Sequence, residues 1–140
     1  MSNTQEVGNS TDLQEAFPVV DPGALPLGAR VLVQMRLPKK KMTASGIILA
    51  EETRDTEKAQ NPIGKVVAIG PLAFKKRDTM EDWPEGSWVE VGDYVRVPRW
   101  TGDRWEVQVN PDDVVQFMLM NDHEVVAKLT SNPLEMRAFV

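Results

Sequence analysis

Side-chain catalysis needs a nucleophile beside a base, a pair of carboxylates, or a metal held by His, Cys and carboxylate groups. The 140-residue chain carries 21 acidic residues, one histidine and no cysteine. Without cysteine there is no disulfide, no thiolate metal site and no thiol nucleophile. His123 lies in the polar run Asn121-Asp122-His123-Glu124, where a solvated imidazole is the ordinary role. One histidine could serve at most one of Ser10, Ser45, Ser87 and Ser131, and none of these sits in a nucleophile-elbow context. Asp112-Asp113 follows Asn110-Pro111 and reads as a turn rather than an acid–base pair. Gly23, Gly28, Gly64 and Gly70 open no helix with a following Lys-Ser or Lys-Thr, so there is no phosphate loop. We therefore expect no catalytic residue, no metal, no cofactor and no enzymatic activity.

The chemistry that remains is binding, and two stretches could supply it. Residues 39–60 read KKKMTASGIILAEETRDTEKAQ, a polar run around one apolar triplet. Gly46, Ile47, Ile48 and Leu49 form its centre, with Thr43-Ala44-Ser45 before and a charged segment after. So polar a run buries little of its own surface, which predicts a mobile loop. Three adjacent branched apolar residues in such a loop make sense when a partner covers them. Two other readings stand beside this one: a buried strand at 47–50, the commoner fate of a short apolar run, and a charged surface helix at 49–58. The second stretch sets Trp100 and Trp105 among Arg96, Arg99 and Arg104. That could be a stacking platform for single-stranded nucleic acid on a small barrel, or a cross-strand aromatic pair that stiffens a hairpin. A net charge of -5 favours the hairpin, because phosphate neutralisation supplies most affinity for nucleic acid.

The elements that must position these stretches are strands. Ten prolines and nine glycines punctuate the chain with turns, as in a β-rich fold, and the length suits one domain. Strands are expected at 30–35, 63–70, 94–97, 114–120 and 125–129, from their β-branched and apolar runs. Val31, Val33 and Met35 should share one face, and Gly64 should mark a bulge or a close backbone approach. Val91-Gly92-Asp93 reads as a turn just before a strand. Trp100–Trp105 reads as a tight hairpin with glycine at the first position of a Gly102-Asp103 turn, which puts Trp100 opposite Trp105. Residues 71–88 form a second excursion, with a Lys75-Lys76-Arg77-Asp78 cluster, Trp83 and Trp88. Residues 1–13 have almost nothing to bury and read as a disordered tail. Ala16-Phe17-Pro18-Val19-Val20 either packs on the domain or docks elsewhere. No apolar run is long enough to cross a bilayer and no secretory signal is evident, so a soluble cytoplasmic protein is expected.

The order of these pieces resembles the GroES-type co-chaperonins. Pro26-Leu27-Gly28-Ala29-Arg30-Val31-Leu32-Val33 is similar to that family's opening strand. Ser45-Gly46-Ile47-Ile48-Leu49 resembles its Gly-Gly-Ile-Val-Leu, the apolar tip of the mobile loop. Gly64-Lys65-Val66-Val67-Ala68-Ile69-Gly70 resembles the strand after the loop, and Val91-Gly92-Asp93-Tyr94-Val95 its Val-Gly-Asp-x-Val. Residues 115–120 and 124–129 resemble the closing strands. The resemblance implies an all-β fold: a small GroES-like barrel at 26–129, with a mobile loop at about 39–60 and a roof-type hairpin excursion at about 71–88. Residues 1–25 would be a flexible N-terminal extension and 130–140 a C-terminal one.

It further implies a ring, a homo-oligomer of seven, in which the first strand of one subunit pairs with the last of its neighbour. Gly46, Ile47, Ile48 and Leu49 would bind a GroEL-like chaperonin ring and enclose an unfolded client protein for ATP-dependent folding. The ATP would belong to the partner; membrane and nucleic acid would not be partners. Both extensions, the basic Lys39-Lys40-Lys41 and the tryptophans of the second excursion depart from the family pattern. Such departures suit a virus-encoded version working in a host cytoplasm. A dehydrogenase catalytic domain shares the barrel type, but the chain lacks a dinucleotide-binding domain and zinc-ligand cysteines.

Overall fold

In the computed structural model, residues 13–37, 62–99 and 101–135 are described. Six strands follow in chain order: β1 Arg30–Met35, β2 Ile63–Ile69, β3 Tyr94–Arg96, β4 Asp103–Gln108, β5 Val114–Asn121 and β6 Ala127–Lys128. They form one antiparallel sheet in the order β4-β5-β1-β2-β3-β6. This all-β arrangement is the small barrel expected from the sequence.

β1 holds the middle. After Arg30, its residues are all buried, which is why the sequence there runs almost unbroken in apolar side chains rather than alternating. Val31, Val33 and Met35 point to the inner core, with Val66, Val95, Val97, Met118 and Met120. Leu32 points the other way, into a cluster with Val115 and Phe117. β1 and β2 change register between Leu32 and Val33, where Leu32 pairs with Ala68 but Val33 with Val66. Val67 is the extra residue of this bulge. It lets Ala68 join the outer cluster while Ile69 still reaches the inner core.

Gly64 does what the sequence suggested. A Cβ there would collide with Val33 Cγ1, so the absent side chain lets β2 lie closely on β1. The Val91-Gly92-Asp93 turn is also found, with Gly92 at φ 100° and the Glu90 N–H donating to Asp93 Oδ2 at 2.8 Å. The expected pairing of Trp100 with Trp105 falls on Trp100, outside the described residues. β3 and β4 are not sheet neighbours; β4 pairs with β5 across the Asn110-Pro111-Asp112-Asp113 turn. That register puts Trp105 opposite Phe117, with the rings stacked at 6.1 Å. The β4–β5 ladder extends over six residue pairs, more than a two-residue turn could secure for so short a hairpin.

The N-terminal segment, undecided in the sequence, packs on the domain. It makes one helical turn at 13–16, closed by the Phe17 N–H donating to the Leu13 carbonyl at 2.7 Å. It then crosses the outer face of the sheet. Gln34 Nε2 donates to the Pro18 carbonyl and Trp105 Nε1 to the Pro22 carbonyl, each at 2.7 Å. This crossing gives the buried amide of Gln34 a partner within an apolar strand.

Candidate functional site

Gly46, Ile47, Ile48 and Leu49 lie outside the described residues, as do Lys39–Lys41 and Trp100. The described residues define the root from which 38–61 departs and to which it returns. β1 delivers the chain to Leu37 and β2 receives it at Pro62, on adjacent antiparallel strands. The Arg36 N–H donates to the Ile63 carbonyl at 2.9 Å, continuing the β1–β2 ladder past Met35 and Gly64. The Val97 N–H donates to the Pro62 carbonyl at 2.8 Å, so the return point is also tied to the chain following β3.

Segments from both ends of the chain reach this root. The Leu37 N–H donates to the Ala16 carbonyl at 3.0 Å, and Arg36 Nη1 to the Pro133 carbonyl at 2.6 Å. Ile63 is fully buried in a cluster with Ala16 and Phe17, against which Leu13, Tyr94, Leu129 and Leu134 pack. Phe17 and Tyr94 meet ring to ring at 5.2 Å. Burial raises the Tyr94 phenol above its ordinary pKa. The sequence contained a signal for this cluster in Phe17, within the apolar run Ala16-Phe17-Pro18-Val19-Val20 that follows a polar tail. It contained none for the Arg36–Pro133 link, because the acceptor is a main-chain carbonyl.

The remaining candidates are accounted for by structure. Trp105 has its indole N–H committed to Pro22 and its ring to Phe117. Arg104 donates to the carbonyls of Pro98 and Arg99 and to Gln116 Oε1, and burial lowers its pKa without discharging it. Trp105 and Arg104, two members of the possible nucleic-acid platform, are thus engaged within the fold. Asp112 and Asp113 form the expected turn, their N–H groups both donating to Asn110 Oδ1. His123 is solvated as expected, its side chain 67% exposed. Its neighbour Asp122 is the unexpected residue. Only 4% exposed, it accepts from the Phe74 N–H at 2.9 Å and the His123 N–H at 2.8 Å. The first of these bonds fixes Phe74 in a left-handed conformation, φ 62°, at the start of the second excursion.

That excursion is tied down along its length. A bridge and an ion pair of 2.7 Å join Lys75 to Asp82. Phe74, Trp83 and Trp88 contact one another ring to ring and pack against the inner core. Two connections therefore leave the same sheet between neighbouring strands, one after β1 and one after β2. The family model described as "Chaperonin 10 Kd subunit" matches residues 24–129, from just before β1 to just after β6, with both connections inside the span. With about three quarters of its length matched, the chain belongs to the chaperonin 10 kDa family, the co-chaperonins that work with GroEL-like chaperonins.

Proposed function

We propose that the protein caps a chaperonin ring through a mobile loop at about 39–60, with Ile47, Ile48 and Leu49 as apolar anchors and Gly46 allowing close backbone approach. The observation that carries this reading is the family match across 24–129, with the apolar triplet set in a long segment rooted between β1 and β2. The cap closes a chamber around an unfolded client, in step with nucleotide bound by the partner. The protein itself contributes binding and no catalysis. We place it in the cytoplasm, that of a host if a virus encodes it, and assign 71–88 to the roof of the cap.

A homo-oligomeric ring of seven fits the surface. Leu25 and Leu27, just before β1, are 77% and 71% exposed, and Val126, beside the edge strand β6, is 61% exposed. Apolar residues at the chain's opening and at an open sheet edge would be covered by head-to-tail pairing between subunits. Magnitudes explain why a ring is needed. Burying three side chains such as Ile47, Ile48 and Leu49 is worth about 1.5–3 kcal/mol each. Ordering each residue around them costs roughly 1–2 kcal/mol. One segment alone binds weakly, whereas several on one ring bind tightly through effective concentration.

The test is Ile48→Asp, assayed by co-sedimentation with a GroEL-like chaperonin and nucleotide, alongside native mass spectrometry. The expected result is loss of capture with an intact ring. Capture equal to the parent's removes the triplet as anchor. A broken ring or an unfolded domain shows that the triplet belongs to the core.

A further inference from the structure

Two segments of the described chain lie outside the family-matching span: 13–23 before it and 130–135 after it. They come from opposite ends of the sequence and meet on the same few residues, Arg36, Leu37 and Ile63. Each is built to present a carbonyl there. The helical turn at 13–16 ends with the Ala16 carbonyl, a group that a helix end leaves without an intrahelical donor; the Leu37 N–H fills that role. At the other end, Asn132 closes a turn, accepting from the Leu134 N–H on Oδ1 at 2.9 Å and from the Glu135 N–H on its carbonyl at 3.1 Å. That turn aims the Pro133 carbonyl at the Arg36 guanidinium. Leu13, Phe17, Leu129 and Leu134 then close an apolar seal over Ile63 and Tyr94.

We propose that these terminal segments form a clasp on the root of 38–61, and that the clasp sets how tightly the co-chaperonin holds its chaperonin. The second half of this statement rests on the reading that 38–61 carries the anchors. Mechanically, the β1–β2 ladder ends at Arg36 and Ile63, and the end of a ladder is where a strand pair opens most readily. With the clasp closed, Arg36, Leu37 and Ile63 are already ordered when the partner arrives. With it open, those residues must be ordered on binding, and every subunit of a ring repeats the penalty. Arg36, Phe17 and Leu134 act as positioning residues and need not touch the chaperonin.

The experiment is amide hydrogen exchange on the full-length ring, with chaperonin affinity measured in parallel, for Phe17→Ala, Leu134→Ala, Arg36→Met and Arg36→Lys. The Leu37 amide reports the clasp directly through its bond to Ala16. In Phe17→Ala, Leu134→Ala and Arg36→Met, exchange at Leu37 is expected to rise about tenfold or more, while amides of the β1–β5 ladder keep their protection. Chaperonin affinity should fall about fivefold or more, and Arg36→Lys, which keeps a cationic donor, should restore much of both. If Leu37 exchange stays at the parental level in all three variants, there is no clasp. If the root opens but affinity is unchanged, the clasp is purely structural and the proposal fails. If protection falls uniformly over the whole sheet, the variants have lost global stability, and the Arg36→Met and Arg36→Lys pair, which leaves the apolar seal intact, decides. A parent ring that captures no chaperonin overturns the anchor reading and the affinity half with it, while exchange at Leu37 still decides the clasp.

Discussion

The two long connections of this fold carry their apolar residues in contrasting patterns. Residues 71–88 carry Phe74, Trp83 and Trp88, and these rings turn back onto the chain's own core. The segment 38–61 holds no aromatic residue; its apolar content is concentrated in Ile47-Ile48-Leu49, amid polar and charged neighbours. One connection is held by its own side chains. The other is held at its root by residues from elsewhere: Ala16 and Phe17 on one side, Pro133 and Leu134 on the other. A connection that spends its large side chains on its own domain becomes a fixed part of the surface. One that keeps them clustered and small can offer them to a partner, and then needs its root fixed by other means.

The comparison breaks most visibly at Phe74. Phe74→Ala removes a fully buried ring from the junction of Trp83, Trp88 and the inner core. Chemical denaturation should show a loss of about 3–5 kcal/mol. Ile48→Asp, by contrast, should change stability by no more than about 0.5 kcal/mol while removing chaperonin capture. Equal destabilisation by the two substitutions would mean that both connections are core, and the contrast between them would be lost.

Asp122 sharpens the same contrast at a smaller scale. Its carboxylate accepts the Phe74 N–H inside the fold, so the second connection depends on a buried side chain to hold Phe74 at φ 62°. Asp122→Ala leaves that N–H without its acceptor, which costs about 1–3 kcal/mol. Thermal melts should show the loss, and exchange at the Phe74 amide should rise more than exchange at β1. Unchanged exchange at Phe74 would show that the aromatic packing alone holds the excursion.

Much of this was readable in the sequence, and the exceptions share a cause. The strands at β1, β2, β3 and β5 follow from β-branched runs bounded by turn residues, and Gly64 announced its close approach. The β4–β5 ladder was not legible. Short-range rules read Trp100-Thr101-Gly102-Asp103-Arg104-Trp105 by itself, whereas Trp105 faces Phe117 in a ladder with β5. Registers fixed by distant strands do not show in a six-residue window. The same holds for the root. Ala16 and Pro133 act through main-chain carbonyls, and no residue type marks a carbonyl that will be used 21 or 97 positions away. Asp122 was hidden for a related reason: in a polar turn of Asn, Asp, His and Glu, nothing distinguishes the one carboxylate that turns inward.

The smallest expected effect lies at the root, and its sign follows from Tyr94. The phenol is packed beside Phe17 and near Ile63 and Leu129, and burial raises its pKa above the ordinary value of 10.0. The folded state thus favours the neutral phenol more than the unfolded chain does. Its contribution is present in full below pH 10 and is lost as the pH climbs through the raised folded value. A parent profile alone would also carry whatever else ionises at alkaline pH, so a variant that lacks only the phenol is the cleaner comparison. Tyr94→Phe keeps the ring against Phe17 and removes only the titration. Melts of parent and Tyr94→Phe from pH 8 to about 11 should run parallel up to about pH 10 and then separate, the parent falling faster. Curves that stay parallel throughout would show that the Phe17–Tyr94 contact leaves the phenol open to water, and that the apolar seal over the root is looser than its ring packing implies.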